Sequence, residues 1–143
     1  MVLNVTISAP NQDSWIGTAE KVIITSTTGQ IGMLAGHARL VTTVDIGLLL
    51  VEKTENDWDV MISFSGIAVV HNNDVQILLN AYEFAPKISE EIAEEEFQQA
   101  VRTLSQFKDD PTINKLVLSQ AVKTASSRRS AAKIFSRNIF PFS

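Results

Sequence analysis

Hydrophobic and polar positions alternate from the first residues of the chain. Leu3, Val5, Ile7 and Ala9 fall on one side of an extended backbone, with Val2, Asn4, Thr6 and Ser8 on the other. That period of two predicts a strand with one buried face. Short apolar runs of the same kind follow as EKVIITST, RLVTTV, IGLLLVEKT, DWDVMISFS, GIAVV and DVQILLNAY. TTGQ, TENDW and HNND separate them, and their Gly, Asn and Asp residues accept the backbone angles that tight turns require. Eight or nine such strands, none with room for a crossover helix, predict an antiparallel all-β sandwich or flattened barrel over residues 1–85.

The period changes after Pro86. Ala93, Phe97, Ala100, Val101, Leu104 and Phe107 lie three or four residues apart and form one stripe of an α-helix. Ser89 is a suitable N-cap, and Glu90 and Glu91 then occupy the first turn, where the helix dipole favours negative charge. Lys108-Asp109-Asp110-Pro111 breaks the stripe. Asp110 as N-cap with Pro111 as first helical residue predicts a second helix, reaching Ile134 or Arg137. Its buried stripe would begin with Ile113, Leu116, Val117 and Ala121. The connection is short, so residues 86–143 should form an antiparallel two-helix hairpin and a tail. Few large apolar residues occur around TASSRRSAAK, which predicts a weakly held end there.

Charge is segregated along the chain. Residues 1–88 carry nine acids and four bases, residues 89–110 seven acids and two bases, and residues 111–143 six bases and no acid, closing at the net −4. In a hairpin, Glu90, Glu91, Glu94 and Glu95 would therefore approach Arg128, Arg129 and Lys133. Cysteine is absent, which excludes disulfides and thiolate metal sites. The longest apolar runs, such as 48–51, span four residues, far below the roughly 20 of a membrane helix. The amino-terminal segment has neither a basic region nor a long apolar core, so it does not read as a secretory signal. The basic segment lacks interleaved aromatic residues before Phe135, which argues against nucleic-acid binding. Trp15 and Trp58 are expected inside the sandwich.

The stretch Thr27-Thr28-Gly29-Gln30-Ile31-Gly32-Met33-Leu34-Ala35-Gly36-His37-Ala38 is nearly uncharged and holds three glycines and a histidine. A phosphate loop needs a lysine and a following helix, and both are missing. His37 has no motif-like nucleophile or carboxylate beside it, and His71 sits in the turn HNND. Two scattered histidines give no metal-ligand spacing. No catalytic residue and no metal is expected. The glycines read instead as geometry: Gly29 for a turn, Gly32 and Gly36 for bulges or close approach, with Met33, Leu34 and Ala35 as an exposed apolar ridge for a partner.

TTGQIGMLAGHA followed by VDIGLLLV resembles the epsilon subunit of F-type ATP synthases of the chloroplast and cyanobacterial branch. SAPNQDSW, EKVIITSTTG and NNDVQILLNAYE carry the same resemblance. It implies a β-sandwich plus helical hairpin in a non-catalytic rotor subunit, with the gamma subunit and the c-ring as partners. The implied gamma- and ring-contact residues are Gly29, Gln30, Ile31, Gly32, Gly36, His37 and Ala38. The hairpin would reach the alpha and beta subunits through Arg128, Arg129 and Lys133 and restrain ATP hydrolysis. The implied location is the stromal side of a thylakoid membrane, or the cytoplasmic side in a cyanobacterium, without membrane insertion. Gln30 and Arg39 depart from members with an acid and a proline at those places. Some members bind ATP through Ile-Asp-x-x-Arg-Ala; here Ile88, Ser89, Glu90, Glu91, Ile92 and Ala93 lack its aspartate and arginine, so no nucleotide and no other cofactor is expected. The competing readings are the same subunit with a merely structural hairpin and no regulatory role, an unrelated β-sandwich adaptor, and an enzyme.

Overall fold

A computed structural model describes residues 2–85, 89–112 and 114–137, with side chains as far as 134. The amino-terminal part folds into ten strands: β1 (Leu3–Ser8), β2 (Trp15–Ala19), β3 (Lys21–Ser26), β4 (Gly29–Leu34), β5 (Leu40–Val44), β6 (Gly47–Thr54), β7 (Asp57–Ser63), β8 (Gly66–His71), β9 (Asp74–Leu79) and β10 (Tyr82–Phe84). Two helices follow, α1 (Glu90–Phe107) and α2 (Lys115–Arg137).

The strands form two five-stranded sheets, ordered β2-β1-β9-β8-β5 and β10-β7-β6-β3-β4. They enclose a first core of Leu3, Val5, Ile7, Val22, Ile24, Met33, Leu49, Val51, Met61, Val70, Val75 and Ile77. The alternation read at the amino terminus is the alternation observed, since Leu3, Val5 and Ile7 face this core. One pairing departs from the antiparallel expectation. β1 runs parallel to β9, with Asn4 opposite Asp74 and Ser8 opposite Leu78. Tight turns set the remaining registers. Asn72 and Asn73, both at positive φ (51° and 64°), link His71 to Asp74 in a two-residue hairpin loop of the type asparagine favours.

A second core lies outside the sandwich. The outer face of β3, β6 and β7 presents Ile23, Leu50, Trp58, Val60 and Ile62, and Ala85 and Ala131 close over it, with Ile134 packed alongside. Trp58 is thus buried, but between sheet and helix. Trp15 is half-buried at the sandwich edge, where its Nε1 donates to Asp59 Oδ2 at 2.9 Å.

The α1 stripe is as expected: Ala93 is buried, and Phe97, Ala100, Val101, Leu104 and Phe107 are half-buried. Ser89 precedes the helix with extended backbone and caps it through its carbonyl, which accepts from the Ala93 amide at 2.9 Å; its side chain makes no cap bond. α2 differs from expectation. Asp110 Oδ1 accepts from the Thr112 amide at 2.8 Å and so caps a turn, while Asn114 Oδ1 accepts from the Leu116 amide at 3.0 Å, and the helix begins at Lys115. Its expected apolar stripe is also reversed. Leu116, Val117 and Ala121 are exposed, whereas Ala125, Ser127, Ala131 and Ala132 are buried. Ile113 lies outside the described residues, as do the residues from Asn138 onward, the tail included. The cause is steric. Small side chains let a helix backbone settle onto a sheet already paved with Ile, Leu and Trp, so the segment expected to be weakly held is the one in closest contact.

Candidate functional site: an edge strand, an uncharged face and a docked hairpin

Half of the stretch read as a docking loop is the edge strand β4. A two-residue turn at Thr27-Thr28 returns the chain from β3, with Ser26 opposite Gly29. Ser26 Oγ donates to the Gly29 carbonyl at 2.8 Å, and Gly29 takes φ +125°, a conformation L side chains rarely adopt. Ile31 packs on the first core, and Met33 is wholly buried there. The expected ridge of Met33, Leu34 and Ala35 is therefore corrected: strand alternation points Met33 inward and leaves Leu34 on the outer face, 52% exposed. Gly32, between Ile31 and Met33, opens a notch beside Ile23 and Leu34.

The named residues of this stretch separate to two ends of β4, roughly 20 Å apart at about 3.3 Å per residue. Gly29 and Gln30 border a groove of about 600 Å³ whose other wall is Phe97, Val122, Lys123 and Ser126 of the hairpin. Gly36, at φ +83°, forms the turn into β5 with His37 and Ala38. The Gly36 amide donates to Asn73 Oδ1 at 2.7 Å, so this turn is tied to the β8–β9 turn. His37 Nδ1 lies 2.6 Å from the Ala38 carbonyl, and its amide donates to the Leu34 carbonyl at 3.1 Å. The histidine thus shapes its own turn. Among the described residues no group of His, Asp and Glu is arranged to hold a metal.

The outer face of the first sheet is a feature that the strand pattern alone does not single out. The register places Leu78 beside Ile67, Val69 beside Val41, and Ile16 beside Thr6. Ile16, Val41, Ile67 and Leu78 are all at least 48% exposed. Asn4, Thr6, Ser8, Thr18, Thr43 and Gln76 share this face with them, and its charged end lies at the β8–β9 turn, where His71 stands opposite Asp74. The alternation that marks it is present in the sequence, but a period of two does not say what covers the outward side.

Ion pairs hold the hairpin on the opposite sheet. Arg128 Nε and Nη2 donate to Glu83 Oε1 and Oε2 at 2.6 and 3.0 Å, a two-pronged bond to β10. The same guanidinium lies 3.6 Å from Glu96 of α1. The bond to Glu83 raises the Arg128 pKa further, against the opposing effect of burial. Arg129 pairs with Glu94 at 3.7 Å and stacks 3.8 Å over the Phe97 ring. Lys133 lines a shallow hollow with Glu90, Glu91, Glu94 and Glu95. The expected meeting of acidic α1 with basic α2 is therefore present, but Arg128 is held by Glu83 and Glu96, which are not among the acids expected to meet it.

Lys123 Nζ donates to Asp45 Oδ2 at 3.1 Å, fastening α2 to the β5–β6 turn. Burial opposes ionisation of Asp45, yet the Ile46 amide and Lys123 outweigh it and lower its pKa below 3.8. A carboxyl whose folded pKa is depressed stabilises the fold above its unfolded pKa, and that contribution disappears as pH falls through the folded value. Acidification through the carboxylate range and below should therefore loosen this end of α2. Asp45→Asn should remove that part of the pH dependence, read as amide exchange in α2 between pH 5 and 3.

Residues 2–85 match the family model described as ATP synthase, Delta/Epsilon chain, beta-sandwich domain. The ATP synthase epsilon chain of Synechococcus elongatus is 39% identical over 132 residues, covering 92% of this chain and 96% of the relative. The chain belongs to the ATP synthase epsilon family. The chloroplastic epsilon chain of Gracilaria tenuistipitata var. liui is 35% identical over 134 residues, covering 94% of this chain and 98% of the relative. A chain in the Euglena gracilis mitochondrial ATP synthase (OSCP/F1/c-ring in rotational state 1) shares the fold, with a TM-score of 0.77 at 21% identity over 91% of this chain and 81% of that one. A chain of the Tetrahymena thermophila mitochondrial ATP synthase central stalk/c-ring aligns at a TM-score of 0.55 and 14% identity, over 95% of each. No described helix is long and apolar enough to cross a membrane.

Proposed function

We propose that this chain is the non-catalytic rotor subunit that links gamma to the c-ring in a proton-translocating F-type ATP synthase, and that its hairpin inhibits ATP hydrolysis. The half-apolar outer face of the first sheet, charged only towards the β8–β9 turn, carries the reading. Four large aliphatic side chains stand on it in the open, in a family whose members are chains of a larger assembly. Gamma covers this face and the adjoining Gly36, His37 and Ala38 turn. The c-ring meets the Gly29–Gln30 end of β4, where Gln30 offers a hydrogen bond rather than a charge. Ile31 and Gly32 set the shape of the strand between them.

The hairpin supplies the inhibitory part. Arg128, Arg129 and Lys133 are the residues that would meet acidic side chains of alpha and beta once α2 leaves the sandwich. In the docked state two of them are occupied by Glu83, Glu96 and Glu94. The site of action is peripheral to a thylakoid membrane, on the stromal face of a chloroplast or the cytoplasmic face in a cyanobacterium. The rival reading makes the hairpin purely structural, and its close packing on the second sheet favours that.

One titration separates the two. ATP hydrolysis by a catalytic sector stripped of its epsilon chain is measured against added full-length chain and residues 1–86. Inhibition by the full chain alone is expected. Binding of both forms with equal effect on rate would leave the hairpin structural, and binding of neither would remove the rotor assignment.

A further inference from the structure

The hairpin is seated by small side chains and tied by charged ones. Its buried residues on α2 are alanines and a serine, and Ile134, the large α2 side chain packed on the second core, is only half-buried there. The ties run to the sandwich at separate places, Asp45 in the β5–β6 turn and Glu83 on the edge strand β10. They are unequal. Lys123 is half-exposed and meets one oxygen of Asp45. Arg128 meets both oxygens of Glu83, with each side chain 32% exposed.

Arg128 also joins three elements at one point, since its guanidinium reaches β10 through Glu83 and α1 through Glu96 while standing on α2. We infer that Glu83 is the catch of the hairpin: by holding Arg128 in a two-pronged ion pair, it sets how often α2 leaves the second sheet. This rests on the reading that the hairpin acts by leaving its seat, and it assigns the control of that step to one acid on the sandwich. Glu83 is a positioning residue, acting through Arg128. The docked hairpin and a hairpin bound to an acidic partner would compete for the same guanidinium. Strengthening the pair would retain α2, and weakening it would release α2.

The catch can be tested on the isolated full chain, independently of any ATP synthase. The sequence has no cysteine, so Ala131→Cys introduces a single thiol at a position wholly buried under α2. Its rate of modification by a soluble maleimide reports how often the helix lifts. In this background Glu83→Gln keeps the side-chain shape but removes the charge, and should speed labelling about five- to tenfold, the scale of one partly exposed charged pair. In a Arg128→Gln background the same change should have no further effect, because the pair is already gone. Unchanged labelling on Glu83→Gln, or equal acceleration in both backgrounds, would overturn the assignment. Rates are compared under conditions where amide exchange in β8 and β9 is unaltered, so that loss of the sandwich is not counted as release of the helix. A further arm measures inhibition of the catalytic sector by Glu83→Gln. Faster labelling with unchanged inhibition would keep the catch and remove the inhibitory role of the hairpin.

Discussion

Gly66→Ala is expected to be among the most damaging single-methyl changes in the sandwich, costing about 3–5 kcal/mol and lowering the midpoint of thermal unfolding by roughly 10 °C or more. A Cβ at this position would run into the Leu78 carbonyl oxygen and lie 2.9 Å from Leu79 Cα, both backbone atoms of β9. No rotamer change can relieve a contact with backbone. The preceding Ser65 already sits at φ +63°, and its carbonyl accepts from the Asn80 amide at 2.9 Å, so the chain enters β8 with little freedom to shift. β8 and β9 are neighbours inside the first sheet, and separating them would disturb the core beneath. Gly32→Ala is the matched control. A Cβ there meets nothing within 4 Å, and stability should change by no more than about 0.5 kcal/mol. Thermal or denaturant unfolding of the two variants checks the contrast. Similar losses in both would show that strand glycines matter for backbone entropy alone.

Ala131→Leu should separate the hairpin from the sandwich without unfolding the latter. Ala131 is fully buried in the cluster of Ile23, Leu50, Trp58 and Ile62, and three added carbons have no space to occupy. Overpacking of this kind costs about 1–3 kcal/mol, and the seat of α2 can relieve it by opening. The expected result is rapid proteolytic cleavage within 89–137 while residues 2–85 stay resistant, with the Trp58 emission shifted to the red as water reaches its ring. If the hairpin remained protected and the whole chain melted earlier as one unit, sandwich and hairpin would be a single cooperative structure.

The elements differ in how far their own sequence reveals them. The β1 alternation needed only the period of two, and the α1 stripe only the spacing of three and four. Both follow from local geometry and were read correctly. β4 was missed as a strand because Gly29 and Gly32 dilute its alternation and imitate a loop. Its neighbour pairing with β3 supplies the order that its own side chains do not. α2 misled for a different reason. Ranking positions by size favours Leu116 and Val117 as core, yet a helix lying on a face of large side chains is best served by small ones. That face was itself concealed, because β6 and β7 carry apolar residues on both sides, and such a run does not say what covers its second side. The contact with Glu83 was beyond reach for the same reason as the β1–β9 pairing: both join positions far apart in sequence.

The parallel pairing of β1 with β9 has a consequence for how the chain is made. Asn4 donates its amide to the Asn73 carbonyl, and its side chain to Asp74, seventy residues later. During synthesis, β1 can form its hairpin with β2 early, but its other edge stays open until β9 has left the ribosome. The first sheet therefore closes late, and all at once, when a central strand supplied near residue 77 slots between β1 and β8. Such long-range closure is slow, on the scale of milliseconds to seconds, compared with the microseconds a helical hairpin needs. α2 follows β9 along the chain and so reaches its seat only once the last strand of the first sheet has been made, whereas a chain halted before β9 exposes a half-built sheet edge to its neighbours.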